Sequence, residues 1–179
     1  MISALTAISP IDGRYSVQTD SLRKIFSEYG LIRNRVKIEL LWLIALSKDK
    51  EIKEVPKFSA KTISKLNSII KNFDQKDANA IKKIEKITNH DVKAIEYWLK
   101  DSLKKEKEIV KVSEFIHFAC TSEDINNLAY ALMIKEGLHE VLIPSIESIF
   151  RQINLYSSRF SKISMIAKTH GQTASPTTM

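Results

Sequence analysis

Apolar side chains recur every three or four residues along most of the chain, which is the spacing that places them on one face of an α-helix. Separate stripes of this kind run through residues 22–29, 31–46, 63–73 and 92–99. Asp20 or Ser21 is suited to cap the first helix and Gly30 to end it. The pattern predicts a helical N-terminal domain over residues 1–111, with a boundary close to the lysine-rich stretch 104–108.

The longest stripe begins at Thr121 and continues to Phe160. Its apolar positions are Leu128, Leu132, Leu138, Leu142, Ile146, Ile149, Ile153 and Tyr156. A helix of roughly 35 residues is about 50 Å long, so it needs other long helices beside it to bury its stripe. Gly137 or Pro144 is the expected site of a kink. Residues 112–179 are therefore interpreted as the start of an incomplete long-helix bundle.

The last part of the chain contains a short apolar stretch followed by a possible helix start. Residues 163–167 are suited to an extended conformation. Ser175 and Pro176 match an N-cap followed by Pro at the first helical position, which predicts a new helix that the sequence cuts off. The chain has only four Gly and four Pro, too few for the turns of an all-β fold. The predicted fold class is all-α.

Composition narrows the possible partners. The net charge of +7 favours anions, whether nucleic acid, lipid or phosphorylated metabolites. Basic residues are not interleaved with aromatic ones as in RNA-binding sheets, and no apolar run approaches the ~20 residues that span a bilayer. We therefore expect neither a nucleic-acid nor a membrane partner. Cys120 is the single cysteine, which favours a reducing, cytoplasmic compartment.

Two polar segments coincide with predicted helix starts. Thr121, Ser122 and Asp124 fit a loose capping box, but the free N–H groups of a helix start can also hold a carboxylate or phosphate. The segment 88–91 places Asn89, His90 and Asp91 where one cap would suffice, and either Thr88 or Asn89 can act as that cap. Capping alone and anion binding both remain open at these two segments.

Other candidate groups lie in predicted loops. Arg14 and Tyr15 follow a tight turn and could bind a phosphate or could simply lie at the surface. His170, next to Gly171, could act as a general acid or be an ordinary turn histidine. We expect His117 to be packed among apolar neighbours and His139 to face solvent. The sequence contains no glycine-rich phosphate loop and no metal-ligand cluster of standard spacing.

Four motifs occur in one order from the first residues to the last. They are Ser9-Pro-Ile-Asp-Gly-Arg-Tyr15, Thr88-Asn-His-Asp-Val-Lys-Ala94, Phe115-Ile-His-Phe-Ala-Cys-Thr-Ser-Glu-Asp-Ile-Asn-Asn127 and Lys168-Thr-His-Gly-Gln172. Together they closely resemble the N-terminal portion of the bacterial adenylosuccinate lyases, of the fumarase/aspartase superfamily. The first and third motifs are specific to these lyases, and Thr-His-Gly-Gln is shared more widely.

The resemblance implies a helical N-terminal domain followed by a long-helix bundle that assembles as a homotetramer. It implies elimination of fumarate from adenylosuccinate, giving AMP, and from succinylaminoimidazole carboxamide ribotide in the same purine pathway. A base removes the proton beside a carboxylate, and an acid protonates the departing nitrogen. Neither a metal nor an organic cofactor is expected.

The resemblance also assigns roles to individual residues. His170 matches the general acid, and Asn89, His90 and Asp91 match a segment that contacts substrate. Thr121 and Ser122 match contacts to the succinyl carboxylates, and Arg14 and Tyr15 match contacts to the nucleotide phosphate.

The catalytic base of the family is a serine in a mobile loop with the pattern Ser-Ser-x-Met-Pro-x-Lys-x-Asn-Pro. No segment of these 179 residues has that pattern, so we expect this chain alone to be inactive.

Two other functions remain open at this point. One is another lyase of the superfamily, such as an argininosuccinate lyase, whose substrate has no phosphate for Arg14 and Tyr15. The other is a non-catalytic helical scaffold that has kept the sequence of a lyase.

Overall fold

The computed structural model describes residues 3–178 of the 179-residue chain. The chain divides into two compact units, Met1–Gly137 and Leu138–Met179. Among the described residues, no helix combines the length and the apolar character needed to cross a bilayer.

Helices make up the whole regular structure of the first unit. They are α1 (Asp20–Phe26), α2 (Glu28–Leu46), α3 (Ala60–Asn72), α4 (Gln75–Thr88), α5 (Asp91–Ser102), the short α6 (Lys107–Val110), a 3₁₀ turn (Ser113–Phe115) and α7 (Ser122–Gly137). The stripes 31–46 and 92–99 each lie within one helix, and the stripe 63–73 ends one residue beyond α3. The stripe 22–29 is divided between α1 and α2. The prediction of an all-α fold is confirmed.

The junction between α1 and α2 differs from the prediction. Gly30 does not end a helix but lies in the first turn of α2, where its N–H donates to the hydroxyl of the N-cap Ser27. A Cβ at this position would lie 2.0 Å from the carbonyl oxygen of Ile25, so only glycine allows the two helices to approach so closely. The residue before α1 is Thr19, and Asp20 lies in the first turn rather than at the cap.

Helix α2 forms the centre of the first unit and packs against α1, α3, α4, α5 and α7. The side chains of Val36, Leu40 and Leu43 are completely buried. Burial of each such side chain contributes about 1.5–3 kcal/mol. The same helix also buries the polar residues Asn34, Arg35 and Glu39, whose partners position the candidate site.

The second unit consists of a π-helical segment (Leu138–Leu142), α8 (Ile143–Phe160) and a two-stranded antiparallel hairpin of β1 (Ser164–Thr169) and β2 (Gln172–Thr178). Together with α7, these segments give helical backbone throughout 122–160, as the long apolar stripe predicts. The π-helical segment lies between the two expected kink sites, Gly137 and Pro144. None of the residues of α8 is buried.

The prediction of a helix start at Ser175 and Pro176 is wrong. Both residues lie in β2, where Pro176 pairs with Ile166 of β1. Proline is tolerated there because a two-stranded hairpin has only edge strands. The apolar stretch 163–167 is extended, as expected.

The division of the chain into functional domains at residues 111 and 112 stays a prediction. The compact unit Met1–Gly137 includes residues on both sides of that point, among them α6 and α7.

Candidate functional site

The start of α5 contains the first group of candidate residues. Asn89 ends α4 in the left-handed conformation, with φ of 51°, and its N–H donates to the carbonyl oxygen of Glu85. His90, rather than Thr88 or Asn89, is the N-cap of α5. This differs from the expectation because Nδ1 of an imidazole, like a serine hydroxyl, can accept a hydrogen bond from the first turn of a helix.

The capping bond determines which nitrogen of His90 accepts a hydrogen bond and which can donate one. The N–H of Lys93 donates to Nδ1 over 3.2 Å, so in the neutral ring the proton is on Nε2. The side chain is half exposed. His90 can therefore donate from Nε2 to an anion while its other nitrogen holds the start of the helix.

The start of α7 contains the second group. Asp124 accepts hydrogen bonds from both the N–H and the hydroxyl of Thr121, at 2.7 and 3.1 Å. Bonds from the N–H and the hydroxyl of Thr121 lower the pKa of Asp124. This is the reverse half of a capping box, and it occupies one of the donors of the helix start. Within residues 3–137, the Ser122 hydroxyl has no hydrogen-bond partner.

The guanidinium of Arg35 joins the two helix starts. Its Nε donates to Oδ1 of Asn126 over 2.8 Å, and one terminal nitrogen lies 2.7 Å from Oδ2 of Asp91. Beside this polar contact, Ile38 of α2 packs against Val92 of α5 and Ile125 of α7. The structure thus brings the segments 89–92 and 121–126 together on one side of α2.

Asp91 is held at both of its oxygens. Oδ1 accepts from the N–H of Val92 at 2.9 Å, and Oδ2 faces Arg35. Burial opposes ionisation of this carboxyl, but the hydrogen bond from Val92 and the charge of Arg35 outweigh that effect and lower its pKa. Asp91 is therefore an anion that fixes the start of α5.

A third segment, residues 116–121, is attached to α2 just before α7. His117 and Ala119 both have positive φ angles, of 65° and 57°. The indole N–H of Trp42 donates to the carbonyl oxygen of Phe118 over 2.9 Å, and Nδ1 of His117 lies 2.6 Å from Oε1 of Glu39. His117 is mostly buried, as expected, but it faces the carboxylate of Glu39 as well as apolar neighbours.

Arg14 and Tyr15 lie in the N-terminal arm before α1. The Arg14 guanidinium stacks over the ring of Tyr15 at 5.5 Å, and both side chains are exposed. The arm is attached to α1 by an ion pair between Asp12 and Arg23 at 3.0 Å. Within residues 3–137, no hydrogen bond or ion pair links Arg14 or Tyr15 to the two helix starts.

His170 lies in the second unit, in the two-residue turn between β1 and β2. His170 and Gly171 have φ angles of 50° and 78°, which are the left-handed conformations that a type I′ turn requires at both positions. A non-glycine residue is uncommon in this conformation, although histidine is among the residues enriched there. The side chain is exposed at the tip of the hairpin.

Sequence reasoning found the residues at the two helix starts but missed Arg35, which connects them, and Glu39, which faces His117 in the third segment. Arg35 and Glu39 are buried charged residues of α2 with partners in the segments 91–126. The available signal was two opposite charges four residues apart within a strongly apolar helix.

Bacterial relatives are similar to this chain along almost its whole length. The adenylosuccinate lyases of Vibrio cholerae, Haemophilus influenzae and Escherichia coli are 50%, 49% and 49% identical to it over 178 residues. These alignments cover 99% of this chain. The chain spans 39% of the length of each of these relatives.

The fold is also similar to that of a solved structure. The crystal structure of beta-carboxy-cis,cis-muconate cycloisomerase from Acinetobacter calcoaceticus sp. ADP1 superposes with a TM-score of 0.62. The superposition covers 89% of this chain and 35% of that one, and the two sequences are 19% identical. At this identity the similarity concerns the fold alone.

The sequence pattern of a family described as lyase matches residues 13–179. This range contains both helix starts, the loop that carries His117 and the hairpin that carries His170. Because the match extends over nearly the entire sequence, the chain belongs to this lyase family.

Proposed function

We propose that the protein is an adenylosuccinate lyase and that this chain supplies its general acid and much of its substrate-binding surface. The observation that carries the proposal is the joining of the segments 89–92 and 121–126 by Arg35, which places two helix starts side by side. Helix starts favour anions through their free N–H groups and their dipoles. Adenylosuccinate carries two carboxylates and a phosphate, so such a surface suits it.

The binding roles follow the chemistry of each segment. Ser122, whose hydroxyl has no partner within residues 3–137, donates to a succinyl carboxylate. Thr121 joins it by exchanging the bond between its hydroxyl and Asp124 for one to substrate. His90 donates from Nε2 to substrate, and Asn89, whose side chain is exposed, is a second contact of the same segment. The bonds of Asp91 to Val92 and Arg35 hold the segment in place. Contacts to the succinyl carboxylate that does not take up the electron pair act in the ground state and in the transition state alike, so they mainly govern the KM.

Arg14 and Tyr15 are the proposed phosphate contacts. A guanidinium binds a phosphate through two parallel N–H bonds, and a phenol adds one donor. The exposure of both side chains leaves them free to reach a nucleotide.

His170 is the proposed general acid. The reaction removes a proton from the carbon beside one succinyl carboxylate, and the electron pair left behind is stabilised on that carboxylate. The bond between the neighbouring carbon and the amino nitrogen on the purine ring then breaks, giving fumarate. His170 protonates that nitrogen, which remains as the amino group of AMP. The type I′ turn supports this role because it holds the imidazole at the exposed tip of the hairpin, where a substrate can reach it.

We also propose that the whole protein is a cytoplasmic homotetramer that acts in purine biosynthesis on both nucleotide substrates. The name of the relatives supports the nucleotide substrate, and the family resemblance supports the assembly. The base comes from sequence outside these 179 residues.

A chimera tests the proposed function directly. In it, this chain replaces the matching residues of the Escherichia coli adenylosuccinate lyase. We expect the purified chimera to release fumarate from adenylosuccinate and to leave argininosuccinate intact, and we expect the 179-residue chain alone to release none. A chimera that sediments as an assembled protein but releases no fumarate, beside an active Escherichia coli enzyme, would contradict the proposal.

The role of His170 is tested in the same chimera. General acids contribute about 10²- to 10⁴-fold, so His170→Ala should lower kcat by at least about 10²-fold. His139→Ala is the matched control, because His139 is an exposed histidine in the same unit. Equal kcat values for the two variants would exclude His170 as the acid.

A further inference from the structure

Helix α2 buries two ionisable side chains one turn apart. Arg35 is 5% exposed and Glu39 is fully buried. Burying a charged side chain is costly unless the charge is paired and hydrogen-bonded. Even when it is paired, replacing a buried ion pair by apolar residues is often neutral for stability. A stability role alone therefore does not account well for Arg35, and its partners suggest another one.

The partners of Arg35 are the two segments that carry the proposed binding residues. Its Nε bonds to Asn126 of α7, and a terminal nitrogen bonds to Asp91 of α5. The guanidinium is planar and rigid, so two bonds from different nitrogens fix the relative position of their acceptors. A lysine, with a single charged nitrogen, cannot reproduce both bonds in this geometry.

Both partners of Arg35, Asp91 and Asn126, also bond to the first turn of their own helix. The other oxygen of Asp91 accepts from the N–H of Val92, beside the cap formed by His90. The amide nitrogen of Asn126 lies 3.4 Å from a carboxylate oxygen of Glu123, next to Ser122. A shift of either acceptor would therefore move a helix start that carries proposed substrate contacts.

We infer that Arg35 is a positioning residue that fixes the spacing between the His90 and Ser122 helix starts without touching the substrate itself. Its relevance to catalysis rests on the proposed function. The spacing matters because the separation of the two succinyl carboxylates changes as the central C–C bond rotates. Two helix starts that bind both carboxylates select one rotamer, and they select the reactive one only at the matching distance.

Arg33 provides a matched control for Arg35. It lies on the same helix and forms an ion pair with Glu136 of α7, and both side chains are mostly buried. This pair also joins α2 to α7, but at the far end of α7 from Ser122. Arg33→Lys therefore perturbs the packing of the same two helices without affecting either helix start.

The first measurement uses the 179-residue chain and does not depend on activity. Arg35→Lys should shift the backbone amide resonances of both His90–Lys93 and Thr121–Asn126, whereas Arg33→Lys should leave both segments unchanged. If Arg35→Lys does not fold, Asn126→Ala removes one bond and should shift mainly the α7 segment. Unchanged resonances at both helix starts in Arg35→Lys, or equal shifts in the two lysine variants, would overturn the inference.

The second measurement uses the active chimera. Arg35→Lys should raise the KM for adenylosuccinate at least about 10-fold and change kcat less than about 3-fold, because binding contacts rather than the acid are displaced. Arg33→Lys should change KM less than about 2-fold. Equal KM values for the two variants would overturn the inference. If every chimera is inactive while the resonances shift as expected, the proposed function fails and the positioning role of Arg35 stands.

Discussion

At the scale of single residues, Glu39 is the least ordinary group of α2. One of its oxygens faces His117 at 2.6 Å, and the other is buried with no hydrogen-bond partner within the described residues. Burial raises the pKa of this carboxyl, and the nearby charge of Glu96 adds to that effect. The bond to His117 opposes the rise without cancelling it. Glu96 itself is paired with Lys93 and Lys100.

A raised pKa predicts how the stability of the chain depends on pH. Below the ordinary value of 4.5, both the folded and the unfolded chain hold the proton, and Glu39 has no pH-dependent effect. As pH rises through the raised pKa, the unfolded chain loses the proton more readily and the folded state loses stability. We therefore expect the free energy of unfolding of Glu39→Gln, relative to wild type, to increase between pH 4 and pH 7.

Urea unfolding followed by tryptophan fluorescence measures this effect, because Trp42 and Trp98 both lie in the first unit. The exposed Glu51→Gln is the control for the loss of one negative charge. A difference between Glu39→Gln and wild type that shrinks as pH rises would contradict the assignment.

Individual residues also show what sequence could and could not predict. The polar residues at 89–91 and 121–124 stand out because they exceed what a helix cap needs. The opposite charges of Arg35 and Glu39 are a weaker signal. Helix α2 packs against neighbours on almost every side, so no wide polar face marks an inward-facing charge as unusual. His90 was missed as a cap because imidazole is not a usual capping group.

At the scale of elements, the junction of α1 and α2 depends on a single missing Cβ. Gly30→Ala would be favourable by about 0.8–1 kcal/mol on helix propensity alone. A Cβ 2.0 Å from the Ile25 carbonyl instead forces α1 and α2 apart. We expect a net loss of about 1–3 kcal/mol in the free energy of unfolding, as for other overpacked sites.

The same fluorescence-detected urea unfolding checks this prediction. Ala45→Gly, at an exposed position of the same helix, should show only the ordinary propensity difference. Stabilisation by Gly30→Ala would show that the close approach of the two helices is not needed.

Local sequence patterns predicted most helices correctly. They failed at residues 175 and 176, where pairing between two strands outweighed the local preference. Helical periodicity located the helices because it reflects the face that each one buries. The Ser175-Pro176 signal failed because β2 pairs with β1, and this pairing depends on a turn at His170 and Gly171. Asn-Gly would have indicated such a turn, whereas His-Gly does so only once the backbone angles are known.

At the scale of the whole molecule, the second unit exposes many large apolar side chains close together. Monomeric soluble proteins rarely expose apolar patches of this kind. The exposed apolar residues of its helical part include Leu142, Ile143, Ile146, Ile149, Phe150, Ile153, Leu155 and Tyr156. Such a stripe is typical of a helix that packs against other long helices. Five of these residues belong to the stripe that the sequence predicts: Leu142, Ile146, Ile149, Ile153 and Tyr156. Their exposure agrees with the proposal that the whole protein assembles from several subunits.

Sedimentation tests whether this stripe drives association. We expect the 179-residue chain to associate in a concentration-dependent manner and the double variant Ile149→Lys/Ile153→Lys to sediment as a monomer. Ser148→Lys/Gln152→Lys adds the same charge at neighbouring exposed positions and should still associate. A monomeric wild-type chain at all concentrations would contradict the expectation.

A structure of the His170→Ala chimera with bound adenylosuccinate would measure the proposed contacts most directly. The proposal predicts Arg14 within about 3.2 Å of a phosphate oxygen and the Ser122 hydroxyl at a similar distance from a succinyl carboxylate. It also places position 170 beside the amino nitrogen from which fumarate departs. In the tetramer, these groups can belong to different subunits. Nucleotide bound elsewhere, with Ser122 and position 170 facing neither the succinyl group nor that nitrogen, would contradict it.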